Sequence, residues 1–301
     1  MSRKPTILSI AGFDSSCGAG VVADVNTARV LGAHGVAVIT CVTAQNTTGI
    51  KEVFPLPEKF VIKQIESLFE DFDVSAVKVG VLYSESVAAA VVANLEKFKP
   101  KFVVLDPIIS SSSGTPLACE ETVNFLCEKV FPMCSLVTPN FIELCKLLRL
   151  LGRDKFANNL ENSRSRKQIE DIYMALSAFF HNLNFPPFLV KGGHLPSSAM
   201  SKSINETLIH FDALLFEGSL DILEQSRINT NNSHGTGCTL STAISVELCR
   251  NKTLRDAVKK AQKFVFQSIL LARELKFGNG SGPIDQFVPD YLFKYHLKGK
   301  L

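Results

Sequence analysis

Short runs of Val, Ile and Leu alternate along this chain with longer segments whose apolar residues recur at helical spacing. The runs "TILSIAG" (6–12), "AVKVGVL" (76–82) and "FVVLDPII" (102–109) are almost continuously apolar. Strands that are apolar on both sides are typical of parallel sheets, because helices cover both faces of such sheets. The alternation therefore predicts an α/β fold with a mostly parallel central sheet and helices on both faces.

The same periodicities place the individual elements. Strands are predicted at 6–12, 36–45, 76–82, 102–109, 136–140 and 188–193, and an antiparallel pair at 206–218 and 222–228. Helices are predicted at 20–32, 57–72, 86–98, from about 141, at 168–182, 238–250 and 254–275. Residues 152–167, "GRDKFANNLENSRSRK", are polar without a sustained period, which predicts a surface insertion or mobile loop. Because no linker divides the chain, we expect one domain over 1–301.

Composition narrows the class of protein. Apolar residues make up 46% of the 301 residues and charged residues 20%, as in compact globular proteins. The 32 basic and 29 acidic residues give a net charge of +3, so charge provides no argument for nucleic acid or a membrane as partner. We find no secretion signal, and no apolar run approaches the roughly 18 residues of a membrane span. The eight cysteines form no CxxC pair or zinc-spaced cluster, which favours a reduced, cytoplasmic protein.

Three glycine-bearing segments are candidates for function. "CGAGVVA" (17–23) fits GxGxxA, but its glycines follow the strand too late and no acidic residue lies about 20 positions beyond, so a close-packed helix start is the better interpretation. "VKGGH" (190–194) fits either a tight turn or a loop that lets a phosphate or base approach the backbone. In "NNSHGTGCTLS" (231–241), Gly235 and Gly237 precede a helix, whose first N–H groups attract anions such as phosphate.

Cys238 lies where this glycine turn becomes the helix. A thiol at this position could be a metal ligand, a nucleophile, a proton acceptor or a packing residue. The positive end of a helix lowers the pKa of a cysteine, so we expect a tendency towards thiolate.

Seven segments in order resemble one known family: "AGFDSSCGAGVVAD", "TAQNT", "KVGVL", "VLDPII", "TPNFIEL", "KGGH" and "NNSHGTGCTLS". The family comprises the hydroxymethylpyrimidine and phosphomethylpyrimidine kinases of the ribokinase-like superfamily, and the resemblance covers about residues 5–290. It implies a ribokinase-like fold and ATP-dependent phosphorylation of 4-amino-5-hydroxymethyl-2-methylpyrimidine, then of its monophosphate, in thiamine biosynthesis. It also implies Mg²⁺ and a homodimer.

The resemblance implies a role for particular residues. Asp24 and Gln45 match the pyrimidine contacts, and their carboxylate and amide suit the adjacent donor and acceptor positions of an aminopyrimidine. Gly12 would let the backbone approach the ring, and Val81 and Ile108 would flank it. The residues that match nucleotide-side positions are Lys191, Gly193, Thr230 and Thr236.

Asn140 and Glu143 match the family's NxxE motif, which is expected to organise Mg²⁺ through water. The same pair fits a helix N-cap with its capping-box partner, so both interpretations stay open.

The resemblance also implies a role for Cys238. Most sugar kinases of the superfamily have an aspartate here as general base, whereas the pyrimidine kinases have cysteine. Cys238 is then expected to accept the hydroxymethyl proton, and Gly235 and Gly237 to form the anion hole for the transferred phosphoryl group. The second acceptor is a largely ionised phosphate, so Cys238→Ala should slow the first phosphorylation more than the second. His194 and His234 are interpreted as structural.

Four positions depart from the family pattern: Phe13, Cys17, Val81 and Ser112. Phe13 is expected to narrow the substrate pocket, and Ser112 replaces a lysine near the phosphate path. Phe13 and Ser112 leave open a weakly catalytic protein that binds the pyrimidine or its phosphate. A pyridoxal or pyridoxine kinase is a second alternative, because the pockets of those kinases resemble the one expected here.

Overall fold

The computed structural model describes residues 4–110, 114–196, 201–202, 208–250, 253–292 and 294. Ser112 lies outside these residues. The chain divides into two compact units. The first unit comprises Met1–Thr122 and Ile228–Leu301, and the second comprises Val123–Arg227. One domain over 1–301 stays a prediction.

The strands and helices follow one another in the predicted alternation. The strands are β1 (Thr6–Asp14), β2 (His34–Asn46), β3 (Gly49–Pro55), β4 (Val74–Val79), β5 (Val103–Leu105), β6 (Leu136–Val137), β7 (Phe188–Val190), β8 (Ser201–Lys202), β9 (Leu208–Phe216) and β10 (Ser219–Ser226). The helices are α1 (Gly20–Val30), α2 (Glu58–Asp71), α3 (Glu85–Phe98), α4 (Glu120–Phe125), α5 (Phe141–Leu150), α6 (Asp154–Glu161), α7 (Arg166–Asn182), α8 (Thr236–Leu248), α9 (Leu254–Ala272) and α10 (Pro289–Leu292).

In the first unit the strand order is β5-β4-β1-β2-β3. β1 pairs in parallel with β2 and β4, and β4 with β5. The carboxyl ends of parallel strands meet at one edge of a sheet, where loops and helix starts gather. β1 has a register shift between Ala11 and Phe13, so the chain is irregular at Gly12, just before it leaves this edge.

β3 is an antiparallel edge strand beside β2 that the sequence analysis missed. Its side chains are half-buried or exposed along the whole strand. An edge strand without a buried face has no apolar run, so the pattern that revealed the other strands is missing here.

In the second unit the order is β10-β9-β7-β6, and β8 pairs with β9. β6 and β7 are parallel, whereas β7–β9 and β9–β10 are antiparallel. The predicted antiparallel pair is therefore confirmed. Together with the first unit, this confirms the prediction of a mostly parallel α/β fold.

The interpretation of 152–167 as a mobile loop is wrong for its central part, because α6 occupies Asp154–Glu161. The surface insertion stays a prediction. Ala157 and Leu160 are fully buried on one side of this helix. Arg149 of α5 binds Glu161 at 2.5 Å between the nitrogen and oxygen atoms. The eight residues of α6 contain three apolar side chains, and they are fewer than the roughly 11–18 residues over which a helical period is recognised.

α8 is the most deeply buried helix described in the first unit, because every residue from Cys238 to Leu248 is buried. A helix that is buried on all sides is held by the elements packed around it, whereas a surface helix is held by one apolar stripe. Only its first turn, around Thr236 and Gly237, is partly accessible. Across the described residues, no helix is long and apolar enough to cross a lipid bilayer.

Candidate functional site

The turn into α8 requires glycine at its N-cap. Gly235 has φ of 83°, in the left-handed region, and a Cβ there would lie 1.9 Å from the carbonyl oxygen of Gly18. A side chain would therefore both strain the backbone and collide with the loop before α1. The turn leaves the first N–H groups of α8, which lack intrahelical acceptors, at the partly accessible end of the helix.

Cys238 lies in the first turn of α8 and is only 6% exposed. Burial raises the pKa of its thiol to about 11, although the Lys78 ammonium and a backbone bond from Gly20 act in the opposite direction. The expectation that the helix terminus favours a thiolate is therefore wrong for the free protein. Desolvation of a charged sulfur outweighs the field of the helix.

Asp24 lies one helical turn below Gly20 on α1 and is fully buried. Its carboxylate accepts hydrogen bonds from Lys78 Nζ at 2.8 Å, Ser9 Oγ at 2.5 Å and Thr242 Oγ1 at 2.8 Å. These contacts make Asp24 the counterion of Lys78, whose pKa is raised by Asp24 although burial acts to lower it. The geometry does not favour direct contact between Asp24 and a pyrimidine, and that role stays a prediction.

Gln45 lies near the end of β2 and is half-buried. Its side-chain nitrogen is 3.3 Å from His234 Nε2, and its side-chain oxygen is 3.1 Å from Thr43 Oγ1. His234 Nε2 also lies 2.7 Å from Asp14 Oδ2. Thr43, His234 and Asp14 therefore form a polar cluster around Gln45, the residue predicted to bind the pyrimidine.

The remaining ring-side positions lie in the same unit. A Cβ at Gly12 would be 3.0 Å from Cys41 Sγ and 3.9 Å from Cβ of Val81. Val81 and Ile108 are half-buried, as is Phe13. Cys17 is exposed and has φ of 59°, so a non-glycine residue holds a left-handed conformation in the loop before α1.

In the second unit, Asn140 and Glu143 form a complete capping box at the start of α5. Asn140 Oδ1 accepts from the Glu143 N–H at 2.9 Å, and Glu143 Oε2 accepts from the Asn140 N–H at 2.7 Å. Lys191 Nζ lies 3.9 Å from the same Glu143 oxygen. Among the described residues no group of three or more His, Cys, Asp or Glu side chains could hold a metal ion.

The two glycines after β7 differ in their surroundings. A Cβ at Gly192 would lie 1.8 Å from the Phe211 carbonyl oxygen, whereas no atom lies within 4 Å of the same point at Gly193. Packing therefore requires glycine at Gly192 and leaves Gly193 open to solvent or a ligand.

Thr230 and Thr236 lie on either side of the loop that leads into α8. Thr230 Oγ1 donates to the Arg273 carbonyl at 3.1 Å and accepts from the Asn232 N–H at 3.1 Å. Thr236 is the first residue of α8 and is half-buried. Thr230 thus shapes the loop, while Thr236 belongs to the accessible first turn.

Sequence reasoning missed three residues of this neighbourhood: Asp14, Lys78 and His234. A lysine inside the apolar run "AVKVGVL" was the available signal for Lys78, because an unpaired charge is not left in a buried strand. His234 was interpreted as structural, although it lies one residue before the glycine turn. No local pattern connects it with Asp14, 220 positions away.

The family model described as phosphomethylpyrimidine kinase matches residues 14–285. The chain belongs to the phosphomethylpyrimidine kinase family. A hydroxymethylpyrimidine/phosphomethylpyrimidine kinase of Rhizobium meliloti is 37% identical over 280 residues, which cover 93% of this chain and 96% of that protein. A chloroplastic thiamine biosynthetic bifunctional enzyme of Arabidopsis thaliana is 35% identical over 95% of this chain. The chain spans about half the length of the plant relatives it matches.

Solved structures agree with this membership of a kinase family. The phosphomethylpyrimidine kinase of Clostridium difficile 630 has a TM-score of 0.69 and 30% identity, and the match covers 88% of this chain and 100% of that chain. The pyridoxal kinase of Staphylococcus aureus, solved with AMP-PCP and pyridoxal, has a TM-score of 0.77 at 22% identity and covers 96% of both chains. The second likeness concerns the fold alone. The ribokinase-like fold is confirmed.

Proposed function

We propose that this chain transfers the γ-phosphoryl group of ATP to 4-amino-5-hydroxymethyl-2-methylpyrimidine and then to its monophosphate, in thiamine biosynthesis. The observation that carries the proposal is Cys238 in the first turn of α8, directly after the left-handed turn at Gly235. Gln45, an amide that can both donate and accept, lies in the same unit. The ordered family motifs support the same assignment.

In this proposal the N–H groups at Gly235, Gly237 and Cys238 bind the transferred phosphoryl group, because unpaired N–H groups and the helix field both favour anions. Phosphoryl transfer depends mainly on positioning and on neutralising charge, so this anion hole supplies most of the chemistry. The thiolate form of Cys238 accepts the hydroxymethyl proton and becomes the neutral thiol. Its raised pKa leaves only a small thiolate fraction at neutral pH.

We assign Gly12, Val81, Ile108, Asp24 and Gln45 to the pyrimidine side on the strength of the family motifs. Among these, the geometry favours Gln45 as the residue that binds polar groups of the ring, since Gln45 is half-buried and its amide lies beside His234 and Thr43. The Asp24 carboxylate already accepts hydrogen bonds from Lys78, Ser9 and Thr242, which supports a role in holding Lys78 in the interior. Its contact with the pyrimidine rests on the motifs alone.

The nucleotide side of the proposal comprises Lys191, Gly193, Thr230 and Thr236. The open space at Gly193 supports a close approach of ligand to backbone there. Mg²⁺ would neutralise phosphate charge when ATP is bound. Asn140 and Glu143 do not fit a direct metal cage, because each side chain already caps the other. They fit a contact through water, which Mg²⁺ commonly keeps in its coordination shell.

Time-resolved chromatography of ATP reactions with the hydroxymethylpyrimidine tests the proposal. Accumulation of the monophosphate followed by the diphosphate is the expected result. If only the monophosphate forms, the chain lacks the second phosphorylation. The side chain of Phe13, which is expected to narrow the substrate pocket, would then be the first candidate for the cause. Phosphorylation of pyridoxal in place of the pyrimidine would replace the proposed substrate by the alternative one. Binding of the pyrimidine without ATP turnover would identify a binding protein.

We also propose a homodimer and a cytoplasmic location. The dimer rests on the resemblance, and light scattering after size exclusion tests it. Eight free cysteines support a reducing compartment. The plant relatives are named as chloroplastic, so imaging of a fluorescent fusion is the direct test of location.

A further inference from the structure

The cluster of Asp14, His234, Gln45 and Thr43 contains two hydrogen-bond conflicts that share one solution. His234 Nε2 lies 2.7 Å from Asp14 Oδ2 and 3.3 Å from the side-chain nitrogen of Gln45. Bonds from His234 and Ser16 keep the pKa of Asp14 below its usual value, although burial acts to raise it, so Asp14 is a carboxylate at neutral pH. A carboxylate only accepts hydrogen bonds, so Nε2 must carry a proton and donate it.

A protonated Nε2 has no lone pair for the Gln45 NH₂ group. The contact at 3.3 Å would then place two donors against each other. Thr43 presents the second conflict, because its single hydroxyl proton faces both the Phe13 carbonyl oxygen at 3.2 Å and the Gln45 side-chain oxygen at 3.1 Å.

Exchanging the oxygen and nitrogen of the Gln45 amide removes both conflicts, and the two ends of an amide have nearly the same shape. The oxygen then accepts from His234 Nε2–H, which it shares with Asp14. The nitrogen donates to Thr43 Oγ1, and Thr43 donates to the Phe13 carbonyl.

Other contacts hold this arrangement in place. Ser15 Oγ binds both the carbonyl and the N–H of Gln45, at 2.8 and 2.9 Å, so the backbone beneath the amide is fixed. The backbone of His234 is bonded to Gly282 and Ile284. A Cβ at Gly18 would lie 2.4 Å from the His234 ring, so the ring packs directly on this glycine.

We propose that His234, oriented by Asp14, is the positioning residue that sets the Gln45 amide to select an aminopyrimidine. With one N–H bonded to Thr43 and one oxygen lone pair bonded to His234, the amide keeps one N–H and one lone pair that a ligand can use. A 4-aminopyrimidine presents the complementary pair, an amine beside a ring nitrogen. This inference rests on the proposed function for its substrate, whereas the amide orientation itself does not depend on it.

The first test is made on the free protein labelled with ¹⁵N-histidine. Long-range ¹H–¹⁵N spectra distinguish a protonated ring nitrogen from an unprotonated one, and the His234 signals are assigned by their loss in His234→Gln. A protonated Nε2 at neutral pH is the expected result. An unprotonated Nε2 would overturn the proposal whatever the enzyme phosphorylates.

The second test compares kcat/KM for the aminopyrimidine with that for the same molecule carrying hydrogen in place of the amine. His234→Leu keeps a side chain of similar size and removes the N–H donor. The ratio of the two kcat/KM values is then expected to fall on the order of tenfold, mainly because KM for the aminated substrate rises. His234→Gln places an amide N–H donor at a similar distance from the backbone. This variant is expected to keep most of the wild-type ratio of kcat/KM values. His181→Leu, on the exposed side of α7, is the matched control.

The outcomes separate the two proposals. If the wild type phosphorylates neither pyrimidine, the proposed function fails and the NMR result still decides the amide orientation. If the wild type is active and His234→Leu, folded by circular dichroism, keeps the wild-type ratio, His234 has only a structural role.

Discussion

Lys78 Nζ lies 2.8 Å from Asp24 Oδ2, and neither side chain has any exposed surface. The pair is satisfied because Ser9 and Thr242 supply further donors to the carboxylate. Removing one member of a buried ion pair leaves the other charge in the interior without compensation.

Lys78→Met is therefore expected to lower the free energy of unfolding by about 3–5 kcal/mol, measured by urea denaturation. The double variant with Asp24→Asn should be more stable than Lys78→Met alone, since no bare charge remains. Lys97→Met removes the exposed pair with Glu66 and should cost at most about 1 kcal/mol. A Lys78→Met protein as stable as wild type would show that the pair is not formed.

Cys238→Ala is expected to reduce the rate of the first phosphorylation about 100-fold and that of the second by less than about threefold. Only the first acceptor must lose a hydroxyl proton. Cys249→Ala is a matched control, because burial also raises the pKa of the Cys249 thiol, at the other end of α8, to about 11. Single-turnover rates for each substrate give the comparison. Equal losses in both steps would exclude Cys238 as a base for the hydroxymethyl group.

The raised pKa of Cys238 predicts a pH dependence that differs between the two steps. With a pKa of about 11, the thiolate fraction rises with pH throughout the neutral range. The first phosphorylation should therefore accelerate about tenfold per pH unit between about pH 7 and 9, while the second stays nearly constant. A first step that is equally independent of pH would show that no thiolate takes part.

The pKa of Asp14 is lowered in the folded protein, mainly through its hydrogen bonds to His234 and Ser16 acting against burial. A carboxyl group with a lowered folded pKa stabilises the protein above its unfolded pKa of about 3.9, and the contribution is lost as the pH falls through the folded pKa. Asp14→Asn should thus be less stable near neutral pH and lose less stability on acidification than the wild type. Thermal unfolding between about pH 3 and 7 measures this, with the exposed Asp71→Asn following the wild-type curve.

The neighbouring glycines after β7 provide a prediction with its own control. Gly192→Ala places a Cβ against the Phe211 carbonyl and should lower the melting temperature clearly. Gly193→Ala enters open space and should change the free energy of unfolding by no more than about 0.5 kcal/mol. If ATP approaches this backbone, Gly193→Ala raises KM for ATP several-fold. An unchanged KM would remove Gly193 from the nucleotide side.

Periodicity in the sequence was sufficient for most elements, including β1, α3 and the β9–β10 pair. It failed for β3 and α6, since the first is an exposed edge strand and the second buries only Ala157 and Leu160. The ordered motifs were sufficient for the family, because glycines and polar residues at fixed spacings are visible along the chain.

The sequence by itself determined the order of strands and helices and the glycine turn that opens α8, because both depend on neighbouring residues. Only the tertiary structure decided that Asp24 pairs with Lys78, 54 positions away, and that His234 meets Asp14 and Gln45. It also decided that burial raises the pKa of the Cys238 thiol. The local field of a helix favours thiolate, but the desolvation that opposes it comes from all the elements packed around the sulfur, and these are distant in sequence.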